Sequence, residues 1–218
     1  TNSTTAGTSA TEFEDDDGNT GHSPSAVGNT SANTTVKKFG TASADFDGSH
    51  DYLSVPDHDD WDFFDTGSWT VDFWIRSDLS IPGDAASYLA HTPSGPPYDD
   101  GMLIKAEGGG ASDRTTHVSD GNSNLGFDTD HVLVQDTWTH YALVHDNAGN
   151  TLKFYVGGVE NETATGDSAI VWDTTVADIL TIGGSNTSAD FNGKMDEVRI
   201  SDTARWTSNF TPPTSEYT

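Results

Sequence analysis

The sequence contains no cysteine, which excludes disulfide bonds, thiolate catalysis and zinc sites built from cysteine. Basic residues are also scarce, because nine lysines and arginines stand against 35 aspartates and glutamates, giving a net charge of -26. Nucleic acid is excluded as a partner, since binding it requires clustered lysine and arginine. An anionic membrane surface would repel the chain for the same reason.

Long apolar runs are missing as well. No segment approaches the roughly 20 apolar residues of a membrane-spanning helix, so we expect no membrane insertion. No signal peptide is visible, and the chain begins at Thr1 rather than methionine. We therefore expect a processed chain or a piece excised from a longer one.

The acidity has two interpretations at this stage. A strongly charged surface keeps a protein soluble. Alternatively, the protein is built for concentrated salt, where the Debye length falls to about 3 Å at about 1 M and self-repulsion is screened. We expect the halophilic setting, with a melting temperature that keeps rising beyond about 1 M monovalent salt.

Short β-strand patterns dominate what the sequence does contain. Hydrophobic residues make up 33% and aromatic residues 10% of the 218 residues, which is enough for the core of one domain. In SWTVDFWIRS, Val71, Phe73 and Ile75 alternate with Trp74 and polar residues, as in a strand with one core face. Ten or more such segments predict an all-β, two-sheet antiparallel sandwich, with at most one short helical turn near the C-terminus.

Several motifs, taken in order, resemble a known family, the laminin-G-like, concanavalin A-like jelly-roll domains. The similarity lies in the segments ADFDGSHDYLSV, SWTVDFWIRS, DTWTHYALVHDNAGNTLKFYVGGV and FNGKMDEVRISDTARWTSNFTPP. The last run is especially similar to copies in tailed-virus structural and tail proteins. The resemblance implies one jelly-roll domain over 1–218, with its first and last strands together. It also implies a C-terminal latch over 202–218, in which Trp206 and Phe210 fold back over the sheet. In the same closing segment, Arg199 and Arg205 are expected to pair with local carboxylates.

The sequence departs from this family at its start. Members usually open with an apolar strand, whereas residues 1–12 contain no aliphatic run. Either the missing strand belongs to sequence upstream of Thr1, or its place is filled differently. We favour the first explanation and expect residues 1–12 to be flexible.

The resemblance also implies a structural calcium ion. Such an ion needs several carboxylate and carbonyl oxygens at about 2.3–2.6 Å. The turn EDDDGNTGH supplies such groups, and the resemblance would bring it near the last strand. The expected ligands are Asp15, Asp17, Asn19 and Asp196. The acidic segments 45–51 and 57–62 are second choices, and an acidic turn that holds no ion is the alternative.

Catalysis is not expected. Hydrolases of this fold carry acids at alternate positions of one strand, and no segment matches that pattern. Asp196 and Glu197 are adjacent, so a regular strand would point them to opposite faces. His140 lies in a strand pattern and is expected to be a hydrogen-bonded core residue rather than a base.

The resulting hypothesis is a non-catalytic, lectin-like, extracellular module on a virion surface that binds a host-surface glycan or glycoprotein. Its expected ligand-binding residues are the exposed-aromatic candidates Trp61, Trp74, Tyr98 and Trp172. The alternative is a purely structural virion subunit that contacts other subunits or assembles as a homo-oligomer. A polysaccharide-degrading enzyme is the third hypothesis.

Overall fold

The computed structural model describes residues 2–6, 13–15, 22–59, 62, 64, 67–80, 86–93, 102–107, 115–119, 126–165, 178–184 and 190–217. These residues form sixteen strands: β1 (Asn2–Ala6), β2 (Phe13–Asp15), β3 (Ser25–Val27), β4 (Ser31–Asn33), β5 (Ser43–Asp47), β6 (Tyr52–Val55), β7 (Trp69–Ser77), β8 (Ser87–Pro93), β9 (Met102–Glu107), β10 (Thr115–Ser119), β11 (Gly126–Asp128), β12 (Thr139–Asp146), β13 (Thr151–Val156), β14 (Val159–Thr165), β15 (Asp178–Ile182) and β16 (Asn192–Ser201). Within the described part of the chain, no helix is long and apolar enough to cross a membrane.

The strands build two antiparallel sheets, which confirms the predicted all-β sandwich. The nine-stranded sheet runs β14-β13-β12-β7-β16, and β5 and β1 both pair with the far edge of β16. Two short strands extend it further, since β4 pairs with β5 and β2 pairs with β1. The seven-stranded sheet runs β11-β10-β9-β8-β15-β6-β3. Each sheet therefore has one face toward the core and one outer face.

Aromatic side chains fill the core between the sheets. Val71, Phe73 and Ile75 are fully buried there, as their alternation in β7 predicts. The ring of Tyr141 lies 5.8 Å from that of Phe73 and 5.0 Å from that of Phe154, both in edge-to-face geometry. Burying each such side chain stabilises the fold by about 1.5–3 kcal/mol. The core thus accounts for a stable domain without disulfides.

The first and last strands lie together, as the family resemblance implies. Asn2 pairs with Ile200, and Thr4 pairs with Val198. Asn2–Ala6 therefore fill the place of the opening strand, which is the second of the two explanations given for this segment. A polar NSTTA segment can occupy the place because the register is set by backbone hydrogen bonds, which do not require an aliphatic side chain.

The C-terminal segment, residues 202–217, contains no helix and crosses the outer face of the nine-stranded sheet. One hydrogen bond to the sheet holds the backbone of each half of this segment. Thr70 Oγ1 donates to the Thr203 carbonyl at 2.8 Å, and Phe210 N donates to the Gly158 carbonyl at 2.8 Å. Trp206 and Phe210 stack at 3.8 Å and pack on Ala142, Val144 and Tyr155. Trp206 and Phe210 thus lie folded back over the sheet, and we call residues 202–217 the tail.

Candidate functional site

A buried polar cluster lies beneath the tail on the outer face of the nine-stranded sheet. The Asp72 carboxylate accepts two hydrogen bonds from Arg199, at 3.0 Å from Nε and 2.9 Å from a terminal nitrogen. Tyr217 donates its hydroxyl to the same carboxylate at 2.7 Å, and His140 Nε2 lies 3.0 Å from that hydroxyl. Asp72 and His140 are fully buried. We call these four residues the tail-docking cluster.

Two residues of the tail-docking cluster, His140 and Arg199, are ones for which the sequence predicts polar contacts. His140 is a hydrogen-bonded buried residue, which confirms the prediction for it. Arg199 pairs with a carboxylate, as expected for an arginine in the closing segment, and its guanidinium also lies 3.8 Å from the Tyr217 ring centroid. Arg205 instead donates to the Ser201 hydroxyl at 2.7 Å. The basic residues near the C-terminus therefore hold the tail to the sheet.

A β-bulge in β16 places two acids on the same outer face. Asp196 pairs with Trp74 and Arg199 pairs with Asp72, so Glu197 and Val198 together oppose a single residue of β7. Glu197 has a positive φ of 54°, and its carboxylate accepts a 2.6 Å hydrogen bond from the Tyr217 backbone. The prediction that the two adjacent acids point to opposite faces is wrong, because the extra residue breaks the strand alternation.

Burial raises the pKa of both acids. The pKa of Glu197 rises to about 7, mainly through desolvation, with Asp196 and Glu216 adding repulsion while Arg199 and the bond from Tyr217 oppose the rise. Desolvation likewise raises the pKa of Asp196 to about 6. These folded values lie above those of unfolded chains. The two carboxyl groups therefore favour the folded state most below about pH 4, where both are protonated. This contribution to the free energy of unfolding is lost as the pH rises through 6 and 7.

Replacing Glu197 with glutamine is expected to flatten this pH dependence. The amide keeps an oxygen that can accept from the Tyr217 backbone but carries no charge to desolvate. At pH 8 the variant should melt a few degrees higher than the parent, and at about pH 4 or below the two should agree, since about 1 kcal/mol corresponds to about 2–4 °C at this size. Calorimetry between about pH 4 and 8 measures the difference.

Glu160→Gln is the matched control for that measurement. A hydrogen bond from Lys153 lowers the pKa of Glu160, so the ionised form is favoured in the folded protein. Its contribution to stability is present above its unfolded pKa, and the control should gain nothing at pH 8. A parent-like pH profile for Glu197→Gln would contradict the assignment.

Trp74, expected to be an exposed ligand-binding aromatic, is buried. Only 8% of it is exposed, and Lys38 Nζ lies 3.8 Å from its ring centroid. The rings of Phe39 and His140 pack against it at 5.9 and 5.2 Å. The expectation of exposure is wrong because the segment that includes Lys38 and Phe39 folds over this face. The other three candidates, Trp61, Tyr98 and Trp172, lie outside the described residues and stay predictions.

The expected calcium ligands are only partly described. Asp196 Oδ2 accepts backbone hydrogen bonds from Lys38 at 2.7 Å and Phe39 at 3.1 Å, and Oδ1 accepts one from Glu197 at 3.0 Å. Donors that already surround the Asp196 carboxylate leave it poorly suited to a cation. Asp15 ends β2, which β1 separates from β16, and its side chain lies outside the described part. Asp17 and Asn19 lie outside it altogether.

The second-choice acidic loop, residues 45–51, is held by its own hydrogen bonds. Asp51 is fully buried and accepts from the backbone of Asp47 at 2.7 Å and of Asn29 at 2.5 Å. The Asp47 carboxylate accepts from the Asn29 side chain at 3.0 Å. No group of three or more histidine, aspartate or glutamate side chains suited to a metal occurs among the described residues.

The outer face of the seven-stranded sheet carries a different polar group. In β9, Met102, Ile104 and Ala106 are fully buried in the core, and the alternate residues Leu103, Lys105 and Glu107 are only partly buried on the outer face. His117 of β10 pairs with Lys105 across the strands. Lys105 Nζ lies 2.7 Å from Glu107 Oε2, and His117 Nε2 lies 3.8 Å from the same oxygen.

We call Lys105, Glu107 and His117 the open-face cluster. It combines a donor, an acceptor and a ring that can serve as either, so it can hydrogen-bond neutral hydroxyl groups. None of its three residues is among the site residues predicted from the sequence, although the alternating patterns of GMLIKAEG and TTHVSD place them on one face of their strands. Neither segment contains a residue type that by itself indicates a site, and only the pairing of β9 with β10 brings the three together.

The two antiparallel sheets define a jelly-roll sandwich. A family model described as the concanavalin A-like lectin/glucanases superfamily matches residues 47–208, well over half of the sequence. The chain therefore belongs to that superfamily. A search of curated proteins finds no match.

Several solved structures share the fold. Domain 4 of AbnA, a GH43 extracellular arabinanase from Geobacillus stearothermophilus in complex with arabinotriose, is 18% identical, with 93% of this chain and 94% of that chain covered and a TM-score of 0.63. The CBM40 of the Ruminococcus gnavus IT-sialidase, bound to α2,3-sialyllactose, is 13% identical, with 65% and 78% covered and a TM-score of 0.53. The binding domain of botulinum neurotoxin DC, in complex with rat synaptotagmin II, is 14% identical, with 90% and 48% covered and a TM-score of 0.59. At these identities the likeness shows the fold alone.

Proposed function

We propose that this chain is a non-catalytic, lectin-like module that binds a glycan on the outer face of its seven-stranded sheet. Membership of the superfamily supports carbohydrate as the ligand class. Two of the similar structures contain oligosaccharides, arabinotriose in one and sialyllactose in the other. The module would attach an extracellular virion to a host-surface glycan or glycoprotein, and this part of the proposal rests on the resemblance of residues 191–213 to tailed-virus proteins.

The single observation that carries the choice of face is the position of the tail. Residues 202–217 pack along the outer face of the nine-stranded sheet, where Trp206, Phe210 and Tyr217 bury its polar groups. The part of that face beneath the tail is closed to a ligand. The outer face at β9 and β10 keeps charged side chains that are only partly buried, and a glycan can reach them.

The chemistry of the open-face cluster suits sugar hydroxyls. A hydroxyl can donate to the Glu107 carboxylate while accepting from the Lys105 ammonium 2.7 Å away. Hydrogen bonds to charged groups contribute about 1.5–3 kcal/mol each, which is enough for selective binding when two or three act together. Pre-pairing of the two side chains holds them in place before the ligand arrives.

The geometry favours binding over hydrolysis. Cleavage of a glycosidic bond requires two carboxyl groups that flank the sugar at about 5–9.5 Å. Glu107 is the single carboxylate of the open-face cluster, and Asp196 and Glu197 are buried beneath covering segments. Turnover of a polysaccharide that disappears on replacing Asp196 or Glu197 would establish the enzyme hypothesis instead.

Replacing Lys105 with alanine is expected to weaken glycan binding by about tenfold or more, because a charge-assisted hydrogen bond is lost. The measurement is a glycan array followed by calorimetric titration of the strongest hit. Lys153→Ala is the matched control, since Lys153 also pairs with a glutamate, Glu160, at 2.7 Å but lies on the nine-stranded sheet. Equal losses in both variants would contradict the assignment of the face.

The alternative function is a structural virion subunit that binds no glycan. In that case the open-face cluster would be buried against another subunit or another copy of the chain. A structure of the assembled particle separates the two proposals, because a free open face fits only the glycan-binding one.

We also propose the structural calcium ion, with Asp15, Asp17 and Asn19 as its main ligands. A chelator at fixed ionic strength should lower the melting temperature, because a ligand selective for the folded state stabilises it. Asp15→Asn should reproduce that loss. Asp196→Asn, by contrast, should destabilise the protein equally with and without calcium. A melting temperature that does not change in excess chelator would contradict the proposed calcium ion.

A further inference from the structure

We infer that the ligand of the open face is a neutral glycan rather than one carrying carboxylate or sulfate groups. The inference rests on the proposed function and narrows it. A chain with a net charge of -26 repels anions over the whole Debye length, which is about 10 Å at 0.1 M salt. An acidic sugar is bound against such a field only where arginine or lysine donors are available to it.

The basic side chains of this protein are committed to its own structure. Eight of the nine lie among the described residues, and six of these eight make their contacts on the nine-stranded sheet or the segments that cover it. Arg76 bonds to Asp78 and Asp136, Lys194 to Asp45 and Asp78, Lys153 to Glu160, Arg199 to Asp72, and Arg205 to Ser201, while Lys38 lies over the Trp74 ring.

The arginines matter most, because their planar guanidinium groups bind carboxylates through two parallel hydrogen bonds. All three described arginines lie on or beside the nine-stranded sheet, where Arg199 already holds Asp72 in this manner. Among the described lysines, Lys37 lies neither on that sheet nor on the open face. It donates to the carbonyls of Thr34 and Thr41. None of these cations reaches the outer face of the seven-stranded sheet.

Lys105 is the one described basic residue on the open face, and Glu107 compensates its charge at 2.7 Å. His117 shares the same carboxylate at 3.8 Å. An incoming carboxylate that approaches Lys105 would therefore meet the Glu107 carboxylate as well, whereas a hydroxyl finds a donor and an acceptor side by side. The cluster selects for neutral hydroxyls by its charge balance. Arg114, the ninth basic residue, lies outside the described residues, and the test therefore includes the variant Arg114→Ala.

The test compares matched pairs of glycans that differ by one acidic sugar, such as lactose and sialyllactose or an N-glycan with and without sialic acid. Affinities are measured by array and titration at about 0.1 M and about 2 M sodium chloride. At the lower salt the neutral member should bind at least tenfold more tightly, and at the higher salt the ratio should shrink because repulsion is screened. Glu107→Gln should also reduce the ratio at low salt, while Glu160→Gln, on the other sheet, should leave it unchanged.

The possible results bear separately on the inference, on its electrostatic reason and on the proposed function. Equal or tighter binding of the acidic member at low salt overturns the inference while leaving the proposed function standing, and loss of that preference in Arg114→Ala would identify the cation responsible. A ratio that does not change with salt or with Glu107→Gln overturns the electrostatic reason given for it. Binding of neither member, across an array that includes both classes, overturns the proposed function itself.

Discussion

Replacing Arg199 with methionine is expected to lower the free energy of unfolding by about 3–5 kcal/mol, because it leaves a buried charge without its partner. Asp72 is fully buried, and Arg199 makes both of its bidentate hydrogen bonds. Methionine preserves much of the side-chain volume, so the loss reports the charge rather than a cavity. Urea denaturation, with a check that the slope of the transition is unchanged, measures the effect.

Two further variants make the Arg199 result interpretable. Arg205→Met changes a neighbouring arginine whose side chain bonds to the Ser201 hydroxyl, and it should cost much less. The double variant Asp72→Asn/Arg199→Met removes both charges and should recover a large part of the loss. A loss below about 1 kcal/mol for Arg199→Met, the range of an exposed ion pair, would contradict the role of the tail-docking cluster.

Replacing Gly158 with alanine is expected to displace the tail from the sheet. A Cβ atom there would lie 2.1 Å from the Phe210 carbonyl oxygen and 2.9 Å from Pro212 Cδ, and the residue has a φ of +79°. The clash also threatens the 2.8 Å bond between Phe210 N and the Gly158 carbonyl. We expect a loss of about 1–2 kcal/mol from the left-handed backbone and at least about 1 kcal/mol more from the clash and the bond.

Gly157→Ala is the matched control for this experiment. Gly157 also has a positive φ, +58°, but a Cβ atom there meets nothing within 4 Å. This control should lose only the free energy of unfolding that comes from placing alanine in a left-handed backbone. Its tail should stay protected from proteolysis, whereas the tail of Gly158→Ala should be cleaved within residues 202–217. Equal stability and equal protection in the two variants would show that the tail does not depend on this contact.

Local patterns predicted the parts of the fold that depend on side-chain alternation. Val71, Phe73 and Ile75 face the core as their period of two requires, and Trp206 and Phe210 pack back on the sheet as the closing segment indicates. Which residues of a strand face the core is a local property, so one sequence is enough to predict it. The sandwich and the latch follow from such properties, together with the resemblance.

The features that sequence reasoning did not predict depend on contacts between distant segments. Trp74 is covered because Lys38 and Phe39 fold over it, and Asp196 is capped by the same segment. The bulge at Glu197 breaks the alternation on which the predicted orientation of the two acids relied. The resemblance implied a first strand beside the last one, but the polar sequence of Asn2–Ala6 gave no sign that these residues form it.

The open-face cluster was missed for a related reason. Lys105 and Glu107 are ordinary polar residues of an alternating strand, and His117 is more than nine positions away on the next strand. Their significance comes from the tail, which covers part of the opposite sheet, while Lys105, Glu107 and His117 stay partly exposed among the described residues. That comparison between two faces is possible only once both sheets are in place.

The most direct test of glycan binding on the open face is an NMR titration of the ¹⁵N-labelled protein with the strongest hit from a glycan array. If the glycan binds there, backbone shifts should concentrate in residues 102–107 and 115–119 and weaken together in Lys105→Ala. Residues 202–217 should stay unperturbed. Shifts that concentrate in the tail or on the nine-stranded sheet, with β9 and β10 unchanged, would contradict the central claim.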